Sequence, residues 1–589
     1  MENQWRLRVT KCDIDTLARE AKINKITAKV LANRNIKEVN EVKKFMNPSF
    51  NDLHDPFMMK DMDKGTDIII DALDEGKKIL VYGDYDADGV TSTTILYKGL
   101  LNLNSDADVQ YYIPDREAEG YGMSIERIKI LKEQGVEVIL TCDNGISAIE
   151  EVKLAKELGM LVIITDHHEL PFIEKEEREY IIPSADAVIN PKRTDCKYPF
   201  KMLCGAGIAF KFIQALYRKL GIDEKEAYSL IEIAGIGTIC DVVDLIGENR
   251  IIVKNSLKMI SKTNNIGLKS LINMLAIKDK EIKAHNVGFM IGPCINATGR
   301  LETASLSVQL LVTEDEDKAR SLAETLVDLN KKRQSMTIQT VEKIVQYIES
   351  SHLNNNKVLV VYDKDVHESI AGIVAGKIRE KYNVPTIILT KGKEMPKGSG
   401  RSIEEYNLFE ELLKCRDLLD KFGGHPMAAG LSIKEDKIQL LRERLNISCQ
   451  LSDNDIIPKI KIDNRIPLTA ISDELIKELE ALEPFGKGNS APLFAEKNIL
   501  ISDIKILGKN QNTLKLTCIT KDNRKIDAVG FNKVEDFKYI LMKKYKNDYE
   551  KIISYPFGLK LDLIFYPTIN EFNGIKNKQL TIKDFRISE

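Results

Sequence analysis

Val81-Tyr82-Gly83-Asp84-Tyr85-Asp86-Ala87-Asp88-Gly89 decides how this chain reads. The stretch continues the apolar run Ile79-Leu80-Val81, so a short β-type segment ends and three carboxylates emerge at alternate positions. A Thr- and Leu-rich segment that reads as a helix comes next. Acids this close repel one another unless cations neutralise them. A solvated acidic turn is the plain alternative for one such cluster taken alone. A calcium EF-hand loop is the sharper rival, because Asp84, Asp86, Asp88 and Gly89 fit its first six positions. That rival fails at the twelfth position, which is Ile95 where a bidentate Glu is needed, and a strand precedes the loop where an EF-hand has a helix.

The same kind of site recurs downstream. Asp143 directly follows Val138-Ile139-Leu140-Thr141-Cys142, and Asp166-His167-His168 directly follows Leu161-Val162-Ile163-Ile164-Thr165. Asp241 lies in Gly237-Thr238-Ile239-Cys240-Asp241, inside a segment expected to be helical. Open parallel sheets gather ligands at the carboxyl ends of their strands. A lone strand-end Asp is more often a helix cap, and two adjacent His can be a surface pair. That reading needs four coincidences in one sheet. The chain has 7 His in all, and two of them fall at this one strand end. Mixed carboxylate and imidazole ligands disfavour calcium and structural zinc and suit Mn2+, with Mg2+ the other candidate. More acids than one cation needs point to two ions sharing a bridging carboxylate, about 3.5–4 Å apart, which act on a phosphoester or phosphoanhydride.

The alternation of apolar runs with charged helical stretches predicts an α/β chain with a parallel sheet. Length alone allows roughly three to five domains. The pattern divides the chain into an N-terminal helical segment (1–75), a parallel-sheet catalytic domain (76–315), a long connecting helix (316–350), a second α/β domain (351–450) and an all-β module of small-barrel size (455–589). A net charge of −3 means that any polyanion must be held by local basic patches or metals. No apolar run reaches membrane-spanning length, and Met1-Glu2-Asn3-Gln4 opens no signal peptide. Nine scattered cysteines without a CxxC pair fit reduced thiols, so a cytoplasmic protein is expected.

At this point the residues resemble a known group. GDYDADG, CDNGIS, DHHE and GTICDVV, in that order, look like motifs I to IV of the DHH phosphoesterase superfamily. The superfamily also includes manganese pyrophosphatases, oligoribonucleases and cyclic-dinucleotide phosphodiesterases. Gly292-Pro293-Cys294-Ile295-Asn296-Ala297-Thr298-Gly299-Arg300-Leu301 resembles a signature of its RecJ branch. Gly398-Ser399-Gly400-Arg401-Ser402 and Gly423-Gly424-His425-Pro426-Met427-Ala428-Ala429-Gly430 resemble motifs of the associated DHHA1 domain. Pro484-Phe485-Gly486-Lys487-Gly488-Asn489 resembles the start of the oligonucleotide-binding (OB) barrel of that branch.

The resemblance implies a single-strand-specific 5′→3′ DNA exonuclease that serves DNA repair and recombination. One ion would be held by Asp86 and Asp143, with Asp84 a further candidate. The other would be held by Asp88, Asp143, His167 and Asp241, with Asp143 bridging. His168 would hydrogen-bond the scissile phosphate, and Asp166 would orient the imidazoles. Ser399, Gly400 and Arg401 would grip the 5′-phosphate through a hydroxyl, an unobstructed backbone N–H and a guanidinium. Arg116, Asn296, Arg300 and His425 would be further substrate contacts. Single-stranded DNA is the implied partner, with a single-strand-binding protein or a helicase as protein partners, and no membrane.

Some positions depart from the pattern. Cys294 stands where an Arg is usual, which predicts one missing cationic contact, and Val366-His367-Glu368-Ser369 replaces a WHxG stretch. In the last module Lys509, Lys515, Lys521, Arg524 and Lys525 lie among Phe531, Phe537, Tyr539 and Tyr545, which suits sequence-neutral strand binding unless the rings simply fill the barrel. The rival function on the same core is an oligonucleotide or cyclic-dinucleotide phosphodiesterase. A non-catalytic scaffold is expected to have lost metal ligands, and here the set is complete.

Overall fold

Ile79–Tyr82 (β1) is buried along its whole length, as a central parallel strand must be when helices cover both faces. It is followed by the helix Ala87–Leu101 (α1), the strand Val109–Tyr112 (β2) and the helix Ile125–Glu133 (α2). Val138–Cys142 (β3), Leu161–Thr165 (β4) and Ala187–Ile189 (β5) complete a five-stranded sheet of order β2-β1-β3-β4-β5, parallel throughout. All crossovers therefore leave from the same edge, and the loops after β1, β3 and β4 open side by side. Helices Gly205–Lys219 (α3), Ile231–Cys240 (α4) and Gly292–Leu301 (α5) follow. The computed structural model describes residues 3–173, 178–278, 281–572 and 574–588.

A 35-residue helix, Glu316–Ser350 (α6), is capped at its start by Asp315, which accepts the Asp317 and Lys318 amides. It leads to a second α/β layer: Leu359–Tyr362 (β6), the helix Ala371–Tyr382 (α7), Thr386–Thr390 (β7), Lys397–Arg401 (β8), Leu419–His425 (β9) and Ala428–Ile433 (β10). The sheet order is β9-β10-β8-β7-β6, with β6 and β7 parallel and the rest antiparallel. Gly398 and Gly400 thus lie within the strand β8, and residues 423–430 form the β9–β10 hairpin.

The two layers belong to one unit, His54–Val243 with Asn255–Pro458. The second unit joins Gln4–Leu53 and Asp244–Lys254 to Lys459–Glu589. Its six-stranded sheet runs Asn464–Arg465, Phe494–Leu507, Thr513–Ile519, Lys525–Phe531, Ile575–Ile587, Lys560–Phe572. Phe494–Leu507 also pairs with Lys560–Phe572, which closes the sheet on itself.

Three features of this unit differ from the sequence reading. The expected N-terminal segment 1–75 does not stay together: Leu17, Ala28, Leu31, Val42 and Phe45 pack into the barrel's apolar core, because their own short helices bury too little alone. Lys459–Ile462, inside the expected all-β module, pairs in parallel with Gln4–Leu7 and not with the barrel strands. Of the aromatic residues picked for base stacking, Phe537 is core while Phe531 and Tyr539 are exposed. Among the described residues no helix is long and apolar enough to cross a membrane.

Candidate metal centre

The acidic loop is shaped by its own backbone. Asp86 caps α1, accepting the amides of Asp88 at 2.8 Å and Gly89 at 3.1 Å. Asp88, two residues further in the same first turn, accepts the amides of Gly205 at 2.6 Å and Ala206 at 2.8 Å at the start of α3. Asp143 leaves β3 with φ +62°, a left-handed conformation that Asp tolerates better than most residues. The turn aims its carboxylate at His167, whose Nε2 is 3.1 Å from Asp143 Oδ1 and 3.7 Å from both Asp88 Oδ2 and Asp241 Oδ2. Asp241 sits at the C-terminus of α4. Three groups of possible ligands result: Asp84, Asp86 and Asp143; Asp143, His167 and His168; and Asp88, His167 and Asp241, each with its donor atoms within 4.8 Å of one another.

Whether these residues suit metal ions is decided by what they lack. Among the described residues, Asp84 Oδ1, Asp143 Oδ1 and Asp241 Oδ2 are buried without a hydrogen-bond partner. Buried carboxylate oxygens are rarely left so, because an unmatched charge is strongly destabilising. Burial, followed by the neighbouring carboxylates, pushes Asp84, Asp143 and Asp241 well above the usual carboxylate range and Asp88 up to about 6. Burial and then the adjacent His168 bring the His167 imidazole down to about 3, so it is neutral and free to ligate. The donor set fits divalent cations.

His168 is arranged for a different task. Its Nδ1 lies 2.8 Å from Asp166 Oδ1, and the same oxygen accepts the His167 and His168 amides at 2.7 and 3.0 Å. Asp166 Oδ2 accepts the Ile146 amide at 2.9 Å. Burial alone would raise Asp166, but His168 and the hydrogen bonds outweigh it and hold the carboxyl down to about 2. Burial alone would lower His168, and Asp166 outweighs that in turn, raising the imidazole to about 9. A cationic imidazole with Nδ1 anchored leaves Nε2 to donate. Tyr121, which the sequence reading passed over, packs edge-on against this ring and donates its hydroxyl to Asp143 O at 3.0 Å. Its only signal is the Gly-Tyr-Gly stretch shortly after Arg116.

The expected substrate residues fall into distinct places. Arg116, Arg300, Ser399 and Arg401 line one cavity of about 540 Å³ together with the first turn of α7. Alternation along β8 puts Ser399 and Arg401 on the cavity face, and Arg401 Nη1 is braced by Ser399 Oγ at 3.2 Å and Gly400 O at 2.7 Å. Burial, then the other guanidiniums beginning with Arg116, bring Arg300 down to about 10 and lower Arg401. Such mutual repulsion calls for an anion. Arg116 also stacks 4.9 Å over the ring of Tyr85, the residue between Asp84 and Asp86, which ties the cavity to the metal ligands.

The other singled-out positions lie outside this lining. Gly400 does not offer a free N–H: β8 is paired on both edges, and a Cβ there would meet Leu408 at 2.5 Å, so the glycine is needed for packing. Asn296 holds the acidic loop, its Oδ1 accepting the Ala87 amide at 2.9 Å. Cys294 is fully buried with Asn330 against its sulfur at 3.5 Å, so it faces α6 and leaves no gap in the cavity wall. His425 is exposed and lines a second cavity, of about 640 Å³, with Tyr121, Asp166 and His168.

Residues 78–238 match the DHH family, N-terminal domain, residues 355–450 the DHHA1 domain and residues 462–584 the RecJ OB domain. The single-stranded-DNA-specific exonuclease RecJ of Bacillus subtilis is 38% identical over 591 residues, covering 100% of this chain and 71% of the relative. The crystal structure of RecJ from Thermus thermophilus in complex with Mn2+ superposes with a TM-score of 0.81 at 26% identity, over 100% of this chain and 80% of that one. The same protein's structure with Mg2+ gives 0.75 at 26% identity, over 100% and 79%. With three domain matches in this order and a relative this similar along the whole chain, the protein belongs to the RecJ family of DHH phosphoesterases.

Proposed function

We propose that this protein is a metal-dependent exonuclease that hydrolyses single-stranded DNA from its 5′ end and releases 5′-mononucleotides. The observation that carries the reading is the cavity of Arg116, Arg300 and Arg401, joined to the acid cluster through Tyr85. An anion-binding site beside a two-cation site suits a polymer held by its terminal phosphate and cut one phosphate further along. Asp84, Asp86 and Asp143 would hold one ion, and Asp88, His167 and Asp241 the other, with Asp143 shared. Divalent ions held there would supply Lewis-acid polarisation of the phosphoryl oxygens and a water of lowered pKa. The chain's own residues do the rest. Asp166 keeps His168 cationic, and His168 Nε2 hydrogen-bonds a scissile-phosphate oxygen, which strengthens as charge develops there. Arg401 and Ser399 fix the 5′-phosphate.

An imidazole among carboxylates favours Mn2+ as the working ion, with Mg2+ the alternative. On this reading the enzyme acts in the cytoplasm in DNA repair and recombination, beside a single-strand-binding protein or a helicase that exposes the strand.

The test uses purified protein with Mn2+ and a long single strand labelled at its 3′ end, beside the matching duplex, a matching RNA and a labelled dinucleotide. The label should stay on long intermediates until late while the duplex resists. Consumption of the dinucleotide alone would overturn the exonuclease in favour of a short-oligonucleotide phosphodiesterase.

A further inference from the structure

The loop between β2 and α2, residues 114–123, carries Arg116 into the phosphate cavity and Tyr121 onto His168. What lies between them is not slack chain. Asp115 Oδ1 accepts the amides of Glu117 at 2.9 Å and Ala118 at 2.7 Å, and Asp115 O accepts those of Glu119 at 2.9 Å and Gly120 at 3.1 Å. The segment is thus one hydrogen-bonded turn. Glu119 pins it to the domain: its carboxylate takes the Tyr112 hydroxyl, the Asp115 amide at 3.2 Å and Arg127 Nε at 3.0 Å, and Arg127 stacks 4.4 Å over Tyr112.

Gly120 and Gly122, at φ +90° and +78°, swing the chain over so that Tyr121 reaches Asp143 O and lies 3.2 Å from His168 Nδ1. Tyr82 donates to Gly122 O at 3.2 Å and fixes the far end. The second layer holds the same turn through Glu117, whose carbonyl accepts Lys393 Nζ at 2.9 Å and whose carboxylate is 3.7 Å from His367 Nε2.

We propose that the 114–123 loop is a strap that registers the phosphate cavity against His168, with Glu119 as its positioning residue. This rests on the exonuclease reading given above. A 5′-phosphate drawn onto Arg116 pulls on one end of a turn whose other end sets the His168 ring. Occupancy of the cavity therefore raises the rate of the chemical step as well as affinity, the way remote binding energy is used to orient reacting groups.

The test compares short single strands with a 5′-phosphate or a 5′-hydroxyl at saturating Mn2+, in wild type, Glu119→Gln and Tyr121→Phe. Wild type should show a higher kcat on the phosphorylated strand. In Glu119→Gln that kcat advantage should fall by about tenfold, the effect of weakening one charged hydrogen bond, with Mn2+ affinity unchanged. Should Glu119→Gln fail to fold, Tyr121→Phe decides, since Tyr121 is 51% exposed. It should lower kcat on both strands by about tenfold and leave KM for the phosphorylated strand unchanged. The strap is overturned if wild type has no kcat preference, if Glu119→Gln keeps it or changes KM alone, or if Tyr121→Phe turns over at the wild-type rate. Failure to release nucleotides from either strand by wild type would instead overturn the exonuclease reading, and the strap with it.

Discussion

Asn296 accepts the backbone amide of Ala87 through its side-chain oxygen at 2.9 Å, so α5 holds the acidic loop from behind. Ala87 lies between Asp86 and Asp88, and its amide is one of the free donors at the start of α1. Asn296→Ala would leave that amide without its acceptor and let both carboxylates drift. Partners that orient ligands typically matter at the level of 10–100-fold in metal affinity. Mn2+ affinity of Asn296→Ala, measured by calorimetry, should fall by about that much, and excess Mn2+ should restore hydrolysis. A variant that binds Mn2+ normally but loses affinity for the strand would instead return Asn296 to the substrate.

The acid cluster sets an unusual pH dependence for the metal-free protein. Burial and then Asp86 raise the Asp88 carboxyl from 3.8 to about 6, and Asp84, Asp143 and Asp241 are raised as well. A carboxyl raised on folding binds more protons in the native state than in the unfolded chain between those two values. Stability then falls as pH rises through that window. Cations reverse the trend, because they bind the ionised form. The gap in Tm between protein in Mn2+ and protein in chelator should widen as pH rises from about 5 to about 7. Asp143→Asn should raise Tm in chelator and abolish the gap. A gap that does not change with pH would show that these carboxylates are not the ligands.

The cluster of acids and imidazoles was legible because β-type runs ending in Asp or His are local features, and a parallel sheet brings such ends together whatever lies between them. Roles set by long-range packing were not. Asn296 and Gly400 sit in motif-like stretches, yet what they touch, Ala87 and Leu408, is fixed by helices and strands distant in sequence. Glycines 398 and 400 have poor strand propensity, yet neighbours on both edges of β8 hold them extended. Arg250 gave no sequence signal at all. It is buried in the second unit, donates to the carbonyls of Phe45, Leu482, Ala481 and Glu483, and lies 3.8 Å over the Phe45 ring. A charge among apolar residues reads as surface until the fold supplies its acceptors.

Arg401 separates charge from shape in the phosphate cavity. Its guanidinium is held in one orientation by Ser399 Oγ and Gly400 O, on a strand paired along both edges. A planar, pre-aimed fork can meet two phosphate oxygens at once, whereas an ammonium offers a single mobile point charge. Arg401→Lys keeps the charge and loses the fork. It should raise KM for a 5′-phosphorylated strand by about tenfold, leave Mn2+ affinity unchanged and leave hydrolysis of a 5′-hydroxyl strand near the wild-type level. Arg401→Ala should go further in the same direction, until the two strands are no longer distinguished. Steady-state kinetics on the paired substrates measures this directly. If Arg401→Lys treats the phosphorylated strand as wild type does, charge alone fills the role and the bracing by Ser399 is incidental. If both variants lose hydrolysis of the 5′-hydroxyl strand too, Arg401 reaches the scissile phosphate and the grip lies elsewhere in the cavity.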